Sequence, residues 1–269
     1  MDDAVALDLP SAGPEPVPFG TALAAVLGYA RGRRPLRFRS PSFPQGRWVQ
    51  VPAFGYERFD RQPVTDGPFG DFHVLVAEGL HGRLDRDSWT AVRGALETAR
   101  PLADAAVERA AGRPLWELPD DEFSVLAEPG TVGAVLRDLG GLPGVAPEFL
   151  AAALHHRRPG LFPLLAPTTR RQLWPHVQEG DSGSAAVIHR ELRASADAFA
   201  ALEAAVAGLL GPPGLTRLRL HDVLLWLSGG LRLTHAVALG EATQEWRRWL
   251  AGDPPNPVGG TVPTLSGPR

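Results

Sequence analysis

Three groups of residues in this 269-residue chain have types and spacings that can do chemistry. The most basic stretch crowds Arg31, Arg33, Arg34, Arg37 and Arg39 around Phe38, with Arg47 and Trp48 close behind. Guanidiniums grip phosphates and an indole stacks on a base, so this combination suits single-stranded or distorted nucleic acid. The second group is acid–base: His221-Asp222 in an otherwise apolar helical stretch, with Glu191, would serve an enzyme using histidine and carboxylate. His176, His189, His221 and His235 are the set a metal would draw on, but the chain has no His-Glu-x-x-His and no cysteine. Isolated histidines on amphipathic helices ordinarily satisfy core hydrogen bonds, so no metal and no cofactor is expected. The third group is Gly140-Gly141-Leu142-Pro143-Gly144-Val145-Ala146, a connection whose glycines tolerate left-handed backbone angles.

Composition removes many alternatives. All 27 basic residues are arginine, so no amine is available for a Schiff base and no phosphate loop can end in Gly-Lys-Ser/Thr. The absence of cysteine removes disulfides, thiolate metal sites and thiol nucleophiles. A net charge of −3 provides no global attraction to nucleic acid or anionic lipid, so any such contact must be a local patch. The chain begins without the basic start and apolar run of a signal peptide, and no stretch is apolar for long enough to span a bilayer. The expectation is a cytoplasmic protein with no membrane contact.

The elements that must position these residues are helices. Residues 1–18 are rich in proline and aspartate and show no apolar period, which predicts a disordered leader; 251–269 predict a disordered tail, and 19–250 a single α-helical domain. Thr21 to Arg31, Asp71 to Leu80 and Asp85 onward have helical spacing, with Pro101 starting or kinking the stretch that runs to Ala111. Thr131 caps a helix through Leu139, and another starts at Pro147. Further helices are predicted over Thr168–Val177, Ser184–Ala194, Ser195–Leu210, Leu215–Leu227 and Leu231–Leu250. Residues 41–68 predict an extended loop, with Leu36–Phe38 and Trp48–Val51 as possible short strands. The fold class is all-α, a multi-helix orthogonal bundle.

The connection at Gly141, Gly144, Val145 and Ala146, followed by Phe149, Leu150, Ala153 and Leu154, resembles a helix-hairpin-helix. The resemblance implies hairpin amides that hold a nucleic-acid phosphate without reading sequence. It extends to base-excision DNA glycosylases of that superfamily, whose catalytic aspartate would fall at Leu165 or Ala166. Neither residue is a general base, and the lyase branch would need a lysine. Glu148 also departs from the pattern, while His155, His156, Arg157 and Arg158 stand near enough in sequence to offer compensating charge.

From about Asp71 to Leu239 the chain is similar to a bacterial family known only as a domain of unknown function. Val74-Leu75-Val76-Ala77, His155-His156-Arg157-Arg158-Pro159 and Leu218 to Trp226 carry that likeness. Gly180-Asp181-Ser182-Gly183-Ser184 resembles the nucleophile segment of trypsin-like proteases, yet it lies between helices and reads as a capping loop with Ser182 or Ser184 as cap. The functional expectation is a non-catalytic module contacting DNA phosphates through the hairpin and the arginine cluster. The alternatives are a protein-interaction scaffold on a degenerate glycosylase-like fold and an enzyme using His221, Asp222 and Glu191.

Overall fold

A computed structural model of the chain describes residues 5–65 and 67–252. In order these form β1 (Ala6–Leu7), β2 (Val17–Pro18), α1 (Phe19–Arg31), β3 (Arg33–Ser40), β4 (Phe43–Pro52), α2 (Asp71–His81) and α3 (Arg86–Ala110). They continue as α4 (Val132–Gly140), α5 (Ala146–Arg157), α6 (Pro167–Leu173), α7 (Ser184–Ala194), α8 (Ala196–Leu210), α9 (Arg217–Gly229), α10 (Leu233–Glu241) and α11 (Gln244–Leu250). The fold is mostly helical, with two small two-stranded sheets.

Helices begin where the sequence supplies caps. Asp85 accepts the Ser88 amide at 2.7 Å to open α3, and Thr131, Thr216 and Thr243 do the same for α4, α9 and α11. The Thr243 cap divides the predicted Leu231–Leu250 helix in two. Pro101 lies inside α3, which continues through it.

The central helix is α1, in which every residue from Ala22 to Ala30 is buried. Its largest partner is α10, and α8 and α9 cover other sides. The α1–α10 approach is backbone to backbone. A Cβ on Gly28 would collide with the Ala236 carbonyl, and one on Gly240 with the Ala24 carbonyl. The spacings Ala24-x-x-x-Gly28 and Ala236-x-x-x-Gly240 thus place small residues at one crossing.

Two expectations need correcting. The leader predicted to be disordered is ordered from Val5: Leu7 and Leu9 are buried, β1 pairs with β2, and Ser11 bonds Glu191 through its amide (2.9 Å) and hydroxyl (2.7 Å). Its partners lie some 180 residues away in sequence, so no local pattern announces them. The loop predicted over 41–68 opens as the second strand of an antiparallel arm, β3–β4, with Arg37 opposite Trp48 and Phe38 opposite Arg47. Arginines and prolines interrupt the apolar alternation by which strands are recognised. The predicted tail lies outside the described residues except for Ala251 and Gly252.

Candidate nucleic-acid interface and a buried arginine site

No residue from 32 to 56 is acidic, and five arginines (Arg33, Arg34, Arg37, Arg39 and Arg47) sit on the β3–β4 arm. Every residue of β3 before Ser40 is exposed. Trp48 is 70% exposed, which places its ring where a planar partner can reach it. Cross-strand partners share a face, so Arg37 and Trp48 stand together, and the arm positions Arg33 and Arg39 on the same side by alternation. On the other side Arg47 lies over the rings of Phe38 (6.0 Å) and Phe43 (5.1 Å). None of the five arm arginines pairs with a carboxylate among the described residues. Arg37 donates to the Gln45 carbonyl at 2.7 Å, which braces the arm's tip.

Beneath the arm runs a groove of about 800 Å³, bounded by Arg34, Leu36 and Val51 on the arm and by Trp226, Arg232 and His235 on the body. The Arg232 guanidinium lies 4.6 Å from the Trp226 ring centroid. The groove shares Gly55 and Trp226 with a second cavity of about 280 Å³ that reaches Tyr29, His81, Arg219 and Asp222.

That inner cavity is built on a buried guanidinium. Arg219 donates to Asp60 through Nε (2.6 Å) and Nη2 (3.1 Å), to the Tyr29 hydroxyl at 2.7 Å, and to Asp222. Tyr29 donates to Asp60 at 2.6 Å, and Thr169 to Asp222 at 2.9 Å. Five segments meet here: α1, the Phe59–Asp60 turn, α6, α9 and the end of α2. Two carboxylates face one guanidinium, and burial, more than Arg219 offsets, pushes the Asp222 carboxyl up. The surrounding carboxylates and Tyr29 hold Arg219 charged against the opposing effect of its burial. His81 Nε2 is buried without a hydrogen-bond partner, and burial followed by the Arg219 charge brings this histidine down to about 4.

The acid–base set separates into two places. His221 Nε2 lies 2.7 Å from Glu191 Oε2, and both are buried. Burial would raise the Glu191 carboxyl, but bonds from His221 and Ser11 outweigh it and hold it low. Asp222, the next residue, turns away toward Arg219. His221–Glu191 therefore fastens the N-terminal strap to α9, and the three residues form no single site. His189 bonds the Leu118 carbonyl at 2.8 Å and His235 lies against Phe54, so the four proposed metal histidines do not converge. No group of three or more potential metal ligands occurs among the described residues.

The other predicted phosphate contacts also disperse. The turn between α4 and α5 exposes Gly141, Gly144 and Val145, with Gly144 at φ +67, while Ala146 is buried. His155 is buried near the far end of α5, about 14 Å along the axis from Ala146. There it bonds the Phe162 carbonyl at 2.7 Å. Arg157 is 9% exposed and bonds Asp104 at 2.6 Å, and Arg158 sits beside it, bonded to the Arg157 carbonyl. These three belong to the core and its edge, away from the turn. Arg31 leaves the arginine cluster too, because it pairs with Glu57 and Glu245 and donates to the Leu210 carbonyl. Sequence reasoning missed Tyr29, Asp60, His81 and Arg219, whose only signal was the oddity of an arginine within the apolar run 218–227.

A helical core carrying a basic arm and a buried arginine–carboxylate cluster describes the class. A family model matches residues 50–229, and the chain belongs to that family, DUF6308, a family of unknown function. No curated protein and no solved structure matches the chain. No single helix among the described residues is long and apolar enough to cross a membrane.

Proposed function

We propose that this protein binds nucleic-acid strands through the β3–β4 arm, with backbone phosphates on Arg33, Arg37 and Arg39 and a base stacked on Trp48. The observation that carries this reading is an exposed arm holding five arginines that no carboxylate of the described residues neutralises. Unpaired guanidiniums release counterions when they meet phosphates, and an exposed indole on the same face adds stacking that tolerates any base. The groove beneath the arm opens on its other face, where Arg34, Arg58, Arg232 and His235 share the walls with Glu57. The α4–α5 turn is a secondary contact in this reading, read as a helix-hairpin-helix turn: its exposed backbone at Gly141 and Gly144 admits a phosphate, and Glu148 in the first turn of α5 opposes it.

The test is fluorescence anisotropy with labelled single-stranded and duplex DNA at two salt concentrations. With Arg33, Arg37 and Arg39 engaged, the slope of log K against log salt on single strands is roughly −2. Arg37→Glu/Arg39→Glu lowers affinity and flattens that slope, and Trp48→Ala lowers affinity on single strands by about ten-fold. Salt-independent binding, or binding indifferent to all three substitutions, removes the proposal. A protein partner is the second reading, favoured by the exposed Leu36, Phe38 and Phe43 on the arm's other face.

A further inference from the structure

The Gly180–Ser184 segment leads into α7, and neither of its serines caps that helix. The N-cap position is Gly183, at φ +131, and no side chain bonds the first-turn amides. The Ala186 amide turns back to the Gly183 carbonyl at 3.1 Å, which leaves the amides of Ser184 and Ala185 without an intrahelical acceptor. This helix start opens into a cavity of about 400 Å³ whose polar wall is Arg137, Arg170, Ser182 and Ser184, with Trp174 at its edge.

Ser182 is 9% exposed, and its Oγ has no hydrogen-bond partner. Gly133 keeps the room for that hydroxyl, since a Cβ there would stand 2.7 Å from it. Ser182 lines the cavity, and its buried hydroxyl, without a hydrogen-bond partner, is a group left for a ligand to satisfy. Arg170 has no carboxylate partner among the described residues and lies beside Gly140, at the end of α4. Arg137 donates to the Val125 carbonyl at 3.0 Å and is 3.6 Å from Asp138. Asp181, the one carboxylate in the lining, is neutralised by Arg190 through bonds of 2.8 and 2.9 Å. Trp174 is 70% exposed.

We infer that this cavity is a binding site for a phosphate ester. The α7 amides and the Ser182 and Ser184 hydroxyls take its oxygens, Arg170 and Arg137 balance its charge, and Trp174 stacks on the organic group it carries. Inorganic phosphate and sulfate carry no organic group to meet Trp174, and a carboxylate presents fewer oxygens to the amides, hydroxyls and guanidiniums of the lining. The phosphate comes either from a free phosphorylated small molecule or from a nucleic-acid strand, and the two sources differ in what they demand of the rest of the surface. The inference stands apart from the arm, which lends the cavity no residue.

The experiment is calorimetric titration of the full-length protein with inorganic phosphate, 5′-dAMP and deoxyadenosine, and anisotropy with a single-stranded oligonucleotide. Each is repeated on Arg170→Glu, Arg170→Gln and the arm variant Arg37→Glu/Arg39→Glu. Circular dichroism and thermal melting establish that each variant folds, and Arg170→Gln supplies a milder change should the charge reversal unfold the chain. Saturable binding of dAMP, tighter than phosphate alone and absent for deoxyadenosine, is expected. It weakens about ten-fold or more in the Arg170 variants and is unchanged in the arm variant. With dAMP bound and oligonucleotide binding indifferent to Arg170, the ligand is a free phosphate ester. Oligonucleotide binding that falls with Arg170 makes it a strand phosphate. The inference is overturned when neither phosphate nor dAMP saturates the protein and oligonucleotide binding ignores Arg170, or when dAMP binds folded Arg170 variants as tightly as the wild type.

Discussion

At the scale of single residues, Arg219 shows how much of the core depends on one charge. Its guanidinium is buried among Asp60, Asp222 and Tyr29, and Phe59 and Tyr29 flank it at 5.7 and 5.5 Å. Removing one member of a buried ion cluster leaves the others desolvated and unpaired, a loss of about 3–5 kcal/mol. Arg219→Met should therefore lower the denaturant midpoint sharply, and Arg219→Lys should rescue only part of it, because an ammonium cannot bond Asp60 twice while also reaching Tyr29 and Asp222. Near-wild-type stability of Arg219→Met would mean that the carboxylates are neutral in the fold. The histidines give a pH dependence. Burial, aided by nearby positive charge, brings His73, His81 and His155 down to about 4, whereas in the unfolded chain they titrate near about 6.5. The unfolded state thus binds more protons as pH falls through that window. Stability is complete above about 6.5 and declines toward about 4, by on the order of 1.4 kcal/mol per pH unit for each histidine. Asp222, raised by burial, acts in the opposite sense, one group against three. Urea unfolding at pH 7 and pH 5 measures the difference, and equal stability would contradict the neutral, buried histidines. Of these residues the sequence displayed Asp222 as unusual and paired it with His221. Adjacent helical positions point about 100° apart, and the structure sends the two side chains to different partners.

At the scale of elements, the closest helix pair is set by what is missing from its side chains. Gly28 and Gly240 let α1 and α10 touch backbone to backbone, and a Cβ at either position meets a carbonyl of the opposite helix that cannot move without its own helix. Gly240→Ala would ordinarily favour a helix by up to about 1 kcal/mol. Here it should destabilise the protein by at least about 1–3 kcal/mol, read as a lower melting temperature, with the same sign for Gly28→Ala. A neutral or stabilising effect would show that the helices part easily. Most helices were legible because their faces repeat at helical spacing, with Asp85 and Thr131 marking two of the starts, whereas the start at Thr243 went unread and α10 and α11 were predicted as one helix. The arm was legible only in part: Leu36–Phe38 and Trp48–Val51 read as short strands and lie within β3 and β4, but exposed strands carry little apolar alternation, so their full length and pairing did not show. Nor was the strap at Leu7, Leu9 and Ser11, whose partners in α7 and α8 are remote in sequence. The helix-capping expectation for Ser182 and Ser184 failed for a different reason: the chain places a glycine at the N-cap and leaves the serines to face a cavity.

At the scale of the whole molecule, the family-matched span 50–229 omits α1, β3, α10 and α11. With β4 also cut before Gln50, those omissions take away the central helix and all of the arm except Gln50 to Pro52. A fragment cut to residues 50–229 should expose the faces of α8 and α9 that α1 covers, and should bind a hydrophobic dye and melt without a cooperative transition. A cooperative melt like that of the full chain would mean that α1 is an addition to an independent core. The tight α1–α10 contact also has a consequence in time. On a ribosome adding about 5–20 residues per second, the roughly 200 residues between these helices take on the order of 10–40 s to emerge. Throughout that interval α1, buried along nine successive positions in the finished protein, has no α10 to lie against. Its nascent form keeps that apolar surface uncovered until α10 is made, so the contact that completes the burial of α1 is among the last the chain can form.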